Sequence, residues 1–152
     1  SSVIVSFIDF AISGVILVGL MIWFGFVPGL QILTLPLFIL LTFAAALGAG
    51  LWLSALNVKY RDFRYVVPFI VQLGLYISPV GFSSQIVTDG WRLLYSLNPM
   101  VGVIDGFRWA ILGGEAYIYW PGFLVSIGLV LVIFVSGLWY FRRTEESFAD
   151  II

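Results

Sequence analysis

Charged residues are so widely spaced along this chain that they divide it into long apolar runs. No charged residue stands between Asp9 and Lys59, a run much longer than the roughly 20 apolar residues that cross a bilayer core. Two glycines and a proline at 25–29 interrupt this run and predict a turn. The pattern predicts an all-α integral membrane fold with four transmembrane helices, at about residues 4–24, 33–56, 65–87 and 116–141.

A further apolar segment, residues 90–112, carries two arginines and an aspartate. A spanning helix here would place a charge near mid-bilayer, which costs about 2.5–3.5 kcal/mol. Asn98 and Pro99 would also break that helix near its middle, because proline removes a backbone donor and clashes with the preceding turn. We therefore expect a re-entrant hairpin of two short helices that dips into the outer half of the protein and returns.

The basic residues divide unequally between the two sides of the predicted bundle. With four spans both ends of the segment share a side, and that side receives five basic residues against two on the other. Lysine and arginine are enriched in cytoplasmic loops, so we expect both ends of this segment, including a tail at 142–152, to be cytoplasmic.

Composition excludes a soluble domain, since 62% of the residues are hydrophobic and 10% are charged, against about a quarter charged in soluble domains. Cysteine and histidine are both absent, which excludes disulfides and removes the commonest metal ligand. A net charge of −1 gives no argument for a nucleic-acid partner. Neither a basic n-region nor a cleavage site follows Ser1, so we expect no signal peptide and an N-terminus that lies further upstream.

The densest charge cluster lies between the second and third predicted spans. Its charged members are Lys59, Arg61, Asp62 and Arg64. One interpretation is a helix-end anchor whose basic side chains face lipid phosphates. The other is a short cytoplasmic loop that packs near a partner and passes motion between two helices. An exposed ion pair made by Asp62 would contribute little stability.

The third predicted span carries aromatic and amide side chains on one helical face. They are Tyr65, Phe69, Gln72 and Tyr76. Such a stripe is usually buried core. Because an amide in mid-span needs a partner or a cavity, we favour a translocation path, in which aromatic rings pack on sugar faces and Gln72 both donates and accepts hydrogen bonds.

Small residues recur every four positions along the second predicted span. One series is Ala46, Gly50 and Ser54, and Ala44 and Gly48 repeat the spacing. Small residues at these intervals let two membrane helices approach closely. We favour packing within the bundle over a seam between two copies of the chain.

Two further features lie toward the predicted outer side. Pro79, after Ser78, removes a backbone hydrogen bond and either ends the third helix or acts as the hinge of an outer gate. Asp105 and Arg108 are three residues apart and can pair, which would neutralise charge within the re-entrant segment.

These motifs together resemble the permease subunits of ABC exporters for polysaccharide and polyol phosphate, the group that exports O-antigen, capsule and teichoic acid. The motifs are LNVKYRD at 56–62, VPF at 67–69, SPV at 78–80, LNPM at 97–100, GFRW at 106–109, and FRR at 141–143 followed by Glu145 and FAD at 148–150. Their order and spacing agree over essentially the whole chain, although no single motif is specific.

The resemblance implies the type-2 ABC transporter transmembrane fold, of which this chain matches the last four of six helices. It implies a permease homodimer in the bacterial inner membrane, carried on two ABC ATPase subunits, with a lipid-linked glycan as substrate. It also implies an outer gate, with candidate residues Ser78, Pro79, Asn98, Pro99, Asp105 and Arg108. The family's first two spans and main coupling helix have no counterpart here.

No catalytic constellation or cofactor site is predicted in the sequence. It has no GxxxxGK[ST] loop, so ATP must be hydrolysed by a partner subunit. A type-2 ABC permease for a drug or lipid is the alternative within transport. A membrane-embedded enzyme would need clustered acids or histidines, but Asp89, Asp105 and Glu115 are widely spaced. A non-catalytic assembly subunit is the third class, distinguished by export that does not depend on the motif residues.

Overall fold

The computed structural model describes the backbone of residues 2–149 and the side chains of residues 4–113 and 115–145. This part of the chain is helical. The α-helices are α1 (Ser2–Trp23), α2 (Leu35–Lys59), α3 (Phe63–Ile77), α4 (Asp89–Tyr95), α5 (Pro99–Leu112) and α6 (Trp120–Ala149). Short 3-10 helices lie at Leu30–Thr34, Ser84–Ile86 and Gly113–Glu115.

Within the described residues, three helical segments are long and apolar enough to cross a membrane. They are Ile4–Trp23, Leu30–Lys59 and Trp120–Glu145, and they correspond to the first, second and fourth predicted spans. The turn predicted at 25–29 separates the first two, and Gly25 adopts a φ of 66° there, a conformation that favours glycine.

The third predicted span, 65–87, forms a shorter helix than expected. α3 ends at Ile77, and Ser78 is extended with a ψ of 146°, because the residue before a proline is disfavoured in the helical region. Fifteen residues make a helix of about 22 Å, against a hydrocarbon core of about 30 Å. The count of four spans therefore remains a prediction.

Helices α2 and α6 form the main packing interface, and glycine makes their close approach possible. A Cβ added to Gly48 would lie 2.7 Å from the Cα of Phe134, and one added to Gly137 would lie 2.6 Å from the carbonyl oxygen of Gly48. Further along, the Trp52 indole stacks on Tyr140 with ring centroids 4.5 Å apart. The prediction that small residues of the second span pack within the bundle is thus confirmed for Gly48, which lies against α6.

The other small-residue series on α2 lies on a different face. Ala46, Gly50 and Ser54 are exposed, and a Cβ added to Gly50 would have nothing within 4 Å. Packing within the described chain therefore does not explain this series, and our expectation for it was wrong.

The core lies where α5 meets α2 and α6. Its buried members are Phe38, Leu41, Ala45, Val103, Ala110 and Val130. A Cβ on Gly106 would overlap the Phe38 ring, so α5 sits directly on α2. This packing makes α5 part of the buried core, which positions the residues it carries.

Candidate outer gate and translocation surface

The end of α3 is held by side chains from the predicted re-entrant segment. The last carbonyls of a helix have no partner within it, and here three donors approach the run 77–80. The Tyr95 hydroxyl donates to the carbonyl of Ile77 at 2.7 Å. Arg108 Nη2 donates to the carbonyls of Pro79 at 2.5 Å and Val80 at 3.2 Å.

Asn98 supplies the third link and also begins a helix. Its Nδ2 donates to Ser78 Oγ at 3.0 Å, while its Oδ1 accepts from the Met100 N–H at 3.0 Å as the N-cap of α5. Pro99 follows at the first helical position, where its missing N–H is tolerated. The expected break at Asn98-Pro99 is therefore present, and we name Tyr95, Asn98, Arg108 and residues 77–80 the α3-end cluster.

Helix α6 holds the same segment from the other side. The buried Ser126 hydroxyl donates to the carbonyl of Ser96 at 2.7 Å. Close approach is again permitted by glycine, since a Cβ on Gly102 would meet Ser126 Cβ at 2.5 Å and one on Gly122 would overlap Ser96 Oγ. The donors of the α3-end cluster are thus attached to the packed core.

Asp105 and Arg108 form the predicted pair, but loosely. Arg108 Nη1 lies 3.8 Å from Asp105 Oδ1, and their side chains are 29% and 14% exposed respectively. Nη1 is buried and makes no hydrogen bond within the described residues. Asp105 lies outside the three long apolar segments. Burial raises the pKa of its carboxyl, whereas a hydrogen bond from Ser84 and the positive charge of Arg108 lower it by a smaller amount.

Arg92, which no sequence argument assigned to the site, ties down the loop before α4. It donates from Nε to the carbonyl of Val87 and from Nη2 to that of Gln85, each at 3.0 Å. It also pairs with Asp89 at 2.9 Å. This arginine therefore orders residues 85–89, which connect the α3-end cluster to α4.

The residues predicted to line a path are all exposed on α3. Tyr65 is 82% exposed, Phe69 62% and Tyr76 70%, and Gln72 is exposed as well. They lie at helical spacing on one face, and none of them belongs to the core of the chain. The structure thus rejects the buried-core interpretation, whereas a translocation path remains a prediction.

The predicted cytoplasmic loop is a short, exposed connection between α2 and α3. Lys59 ends α2, and Asp62 stands at the N-cap of α3 without a side-chain hydrogen bond to it. Arg61 and Arg64 are exposed too. Within residues 4–113 and 115–145, Asp62 forms no salt bridge, so the local pair that we considered is not formed.

Among the described side chains, no group of three or more acidic, histidine or cysteine residues lies close enough together to hold a metal ion. The predicted tail 142–152 continues α6 as far as Ala149. The last part of its motif, FAD at 148–150, lies outside the described side chains.

These features define a multi-pass helical membrane protein with a broken helical segment bound to a neighbouring helix end. Residues 1–112 match the family model described as ABC-2 type transporter. That match covers most of the chain, which therefore belongs to the ABC-2 type transporter family. No solved structure matches it.

The chain is similar to proteins named "O-antigen export system permease protein RfbA". One from Klebsiella pneumoniae is 23% identical over all of this chain and 58% of its own length. One from Myxococcus xanthus is 24% identical over all of this chain and 59% of its own length. The chain thus spans less than two thirds of these relatives. Membership of the ABC-2 type transporter family indicates that this chain is part of a transporter subunit.

Proposed function

We propose that this chain is part of the membrane subunit of an ATP-driven exporter. The exporter would translocate a lipid-linked polysaccharide or polyol phosphate polymer across the bacterial inner membrane. The observation that carries this proposal is the family match over residues 1–112, joined with relatives whose names specify O-antigen export. The partners proposed with it are an ABC ATPase, a second copy of the permease and the lipid-linked glycan.

The exposed face of α3 supports the choice of substrate. A bulky glycan needs a continuous surface on which aromatic rings stack against sugars and polar groups form hydrogen bonds. These groups lie on one side of α3 and are Tyr65, Phe69, Gln72 and Tyr76. Their exposure leaves this surface free for a substrate or for a second copy of the subunit.

Charge supports the orientation of the segment. Loop residues 59–64 and Arg142 and Arg143 would lie on the cytoplasmic side, and the α3-end cluster would lie near the outer side. The exposed basic loop could then contact lipid phosphates or the ATPase. The α3-end cluster would form part of an outer gate, in which Ser78 and Pro79 follow the end of α3 and Asn98, Pro99, Asp105 and Arg108 come from the segment beside it.

The test is the purification of the full-length gene product with the ATPase encoded beside it, scored for stimulation of ATP turnover by lipid-linked glycan. Phe69→Ala, on the aromatic face, should lower this stimulation. Ile70→Ala is the matched control, because Ile70 is also exposed but lies on another side of α3. Stimulation by small amphiphiles but not by glycan would favour a drug or lipid cargo instead. A protein that recruits no ATPase would contradict the proposal.

A further inference from the structure

Helix α3 differs from its neighbours in how it is held. It contains no buried residue, whereas α2, α5 and the described part of α6 contribute to the core. Its principal helix contact is with α2, and that contact is slight. Packing therefore does little to fix the position of α3 within the described chain.

Directional hydrogen bonds hold α3 at one end instead. The acceptors lie on four consecutive residues, 77–80, and the donors come from α4, from the α4–α5 link and from α5. Such bonds weaken steeply when the donor–acceptor distance or angle departs from its optimum. A displacement of this helix end by a few ångströms would break all of them together.

The two sides of this contact differ in how firmly the rest of the chain holds them. The donor side is fixed, because Ser126 of α6 binds the Ser96 carbonyl and glycine contacts hold α5 and α6 together. The acceptor side is the end of α3, the helix that contains no buried residue. The opposite end of α3 joins α2 through residues 60–62. Tyr60 is extended there, so the connection is a short non-helical turn at which α3 could pivot.

From these contacts we propose that Tyr95, Asn98 and Arg108 form a latch that holds α3 against α4 and α5, and that its release is a step of transport. The existence of the latch does not depend on the proposed function. Only the statement that its release is a step of transport rests on that function. Tyr95 is a positioning residue, which acts through the Ile77 carbonyl and not on the substrate. Tyr95 was not among the gate residues expected from the sequence.

The test measures the position of α3 directly in the full-length protein with its partner ATPase. The 152 residues contain no cysteine, so spin labels can be placed at Leu75→Cys on α3 and Leu131→Cys on α6 once cysteines elsewhere are replaced. Both sites are exposed, at 58% and 51%. Pulsed electron paramagnetic resonance then reports the distribution of distances between the two helices.

Tyr95→Phe removes the hydroxyl donor and retains the ring. We expect the population with a displaced α3 to rise about two- to tenfold in the resting protein, as follows from the net strength of one hydrogen bond. Tyr119→Phe is the matched control, because no hydrogen bond joins its hydroxyl to α3 in the described residues. If Tyr95→Phe lowers the yield of folded protein, Ser78→Ala, which removes the acceptor of Asn98, should shift the same population.

If Tyr95 had only a structural role, Tyr95→Phe would lower the melting temperature but would not produce a second population in the distribution of distances between α3 and α6. Distributions that are identical in Tyr95→Phe, Ser78→Ala and Tyr119→Phe would overturn the latch, even if glycan still stimulates ATP turnover. A displaced population in the two latch variants, together with ATP turnover that ignores glycan, would retain the latch and reject the proposed function. Addition of ATP and glycan to the wild-type protein should populate the same displaced distance.

Discussion

The close approach of α2 and α6 gives the sharpest test of the packing on which the site depends. Gly48 lies at this crossing, where an added Cβ would meet the backbone of Phe134 at 2.7 Å from Cα and 2.8 Å from N. These atoms belong to a helix backbone, so relief requires the two helices to separate. Gly48→Ala should therefore destabilise the protein even though alanine is the better helix former.

The magnitude follows from two opposing effects. Overpacking a well-packed interior costs about 1–3 kcal/mol, while replacing a glycine inside a helix by alanine returns up to about 1 kcal/mol. Gly50→Ala and Gly128→Ala are controls that gain helix propensity without overpacking, because neither added Cβ would have a neighbour within 4 Å. The difference between Gly48→Ala and these controls should thus be about 1–3 kcal/mol.

The assay is the melting temperature of the full-length protein in detergent, followed by size-exclusion chromatography after heating. At about 2–4 °C per kcal/mol for a protein of this size, Gly48→Ala should melt roughly 2–12 °C below the controls. A Gly48→Ala protein that melts with the controls, or above them, would refute the packing described for α2 and α6.

Two other predictions concern Asn98 of the α3-end cluster and Asp105, which lies beside Arg108 of that cluster. Asn98→Ala should cost about 1 kcal/mol through the lost N-cap of α5, while Asn98→Asp should retain much of that stability because its oxygen still accepts from Met100; equal melting temperatures for the two variants would contradict the capping role. Burial raises the pKa of Asp105 above its ordinary 3.8, so the folded state binds this proton more tightly than the unfolded state does. The tighter proton binding therefore stabilises the folded state fully at pH values below 3.8, and this stabilisation is lost as the pH rises through the raised pKa. Asp105→Asn does not titrate, so the variant should lose less stability than the wild type as the pH rises over that range.

The sequence predicts helix breaks well and long-range contacts poorly. The turn at 25–29 and the break at Asn98-Pro99 carry local signals, namely glycine and proline, and both are present in the structure. Pro79 carries the same kind of signal. The apolar run nevertheless predicts a span that continues to residue 87, whereas α3 ends at Ile77, before the proline.

The α3-end cluster was only partly predictable. Of its members, Arg108 was predicted to pair with Asp105, because the two residues lie three positions apart and helical spacing indicates such pairs. By contrast, the bonds from Tyr95 to Ile77 and from Arg108 to Pro79 join residues 18 and 29 positions apart. No periodicity links these positions, and a tyrosine in an apolar segment gives no sign of which carbonyl it binds. Their partners emerge only when α3 ends beside α4 and α5.

The most direct test of the proposed function is transport itself. The full-length permease and its ATPase would be reconstituted in vesicles with lipid-linked glycan on the ATPase side, and the amount of glycan that reaches the opposite side would be measured with and without ATP. The account predicts ATP-dependent translocation that falls with Phe69→Ala and persists with Ile70→Ala. Glycan that stays on the ATPase side, in a complex that still hydrolyses ATP, would contradict it.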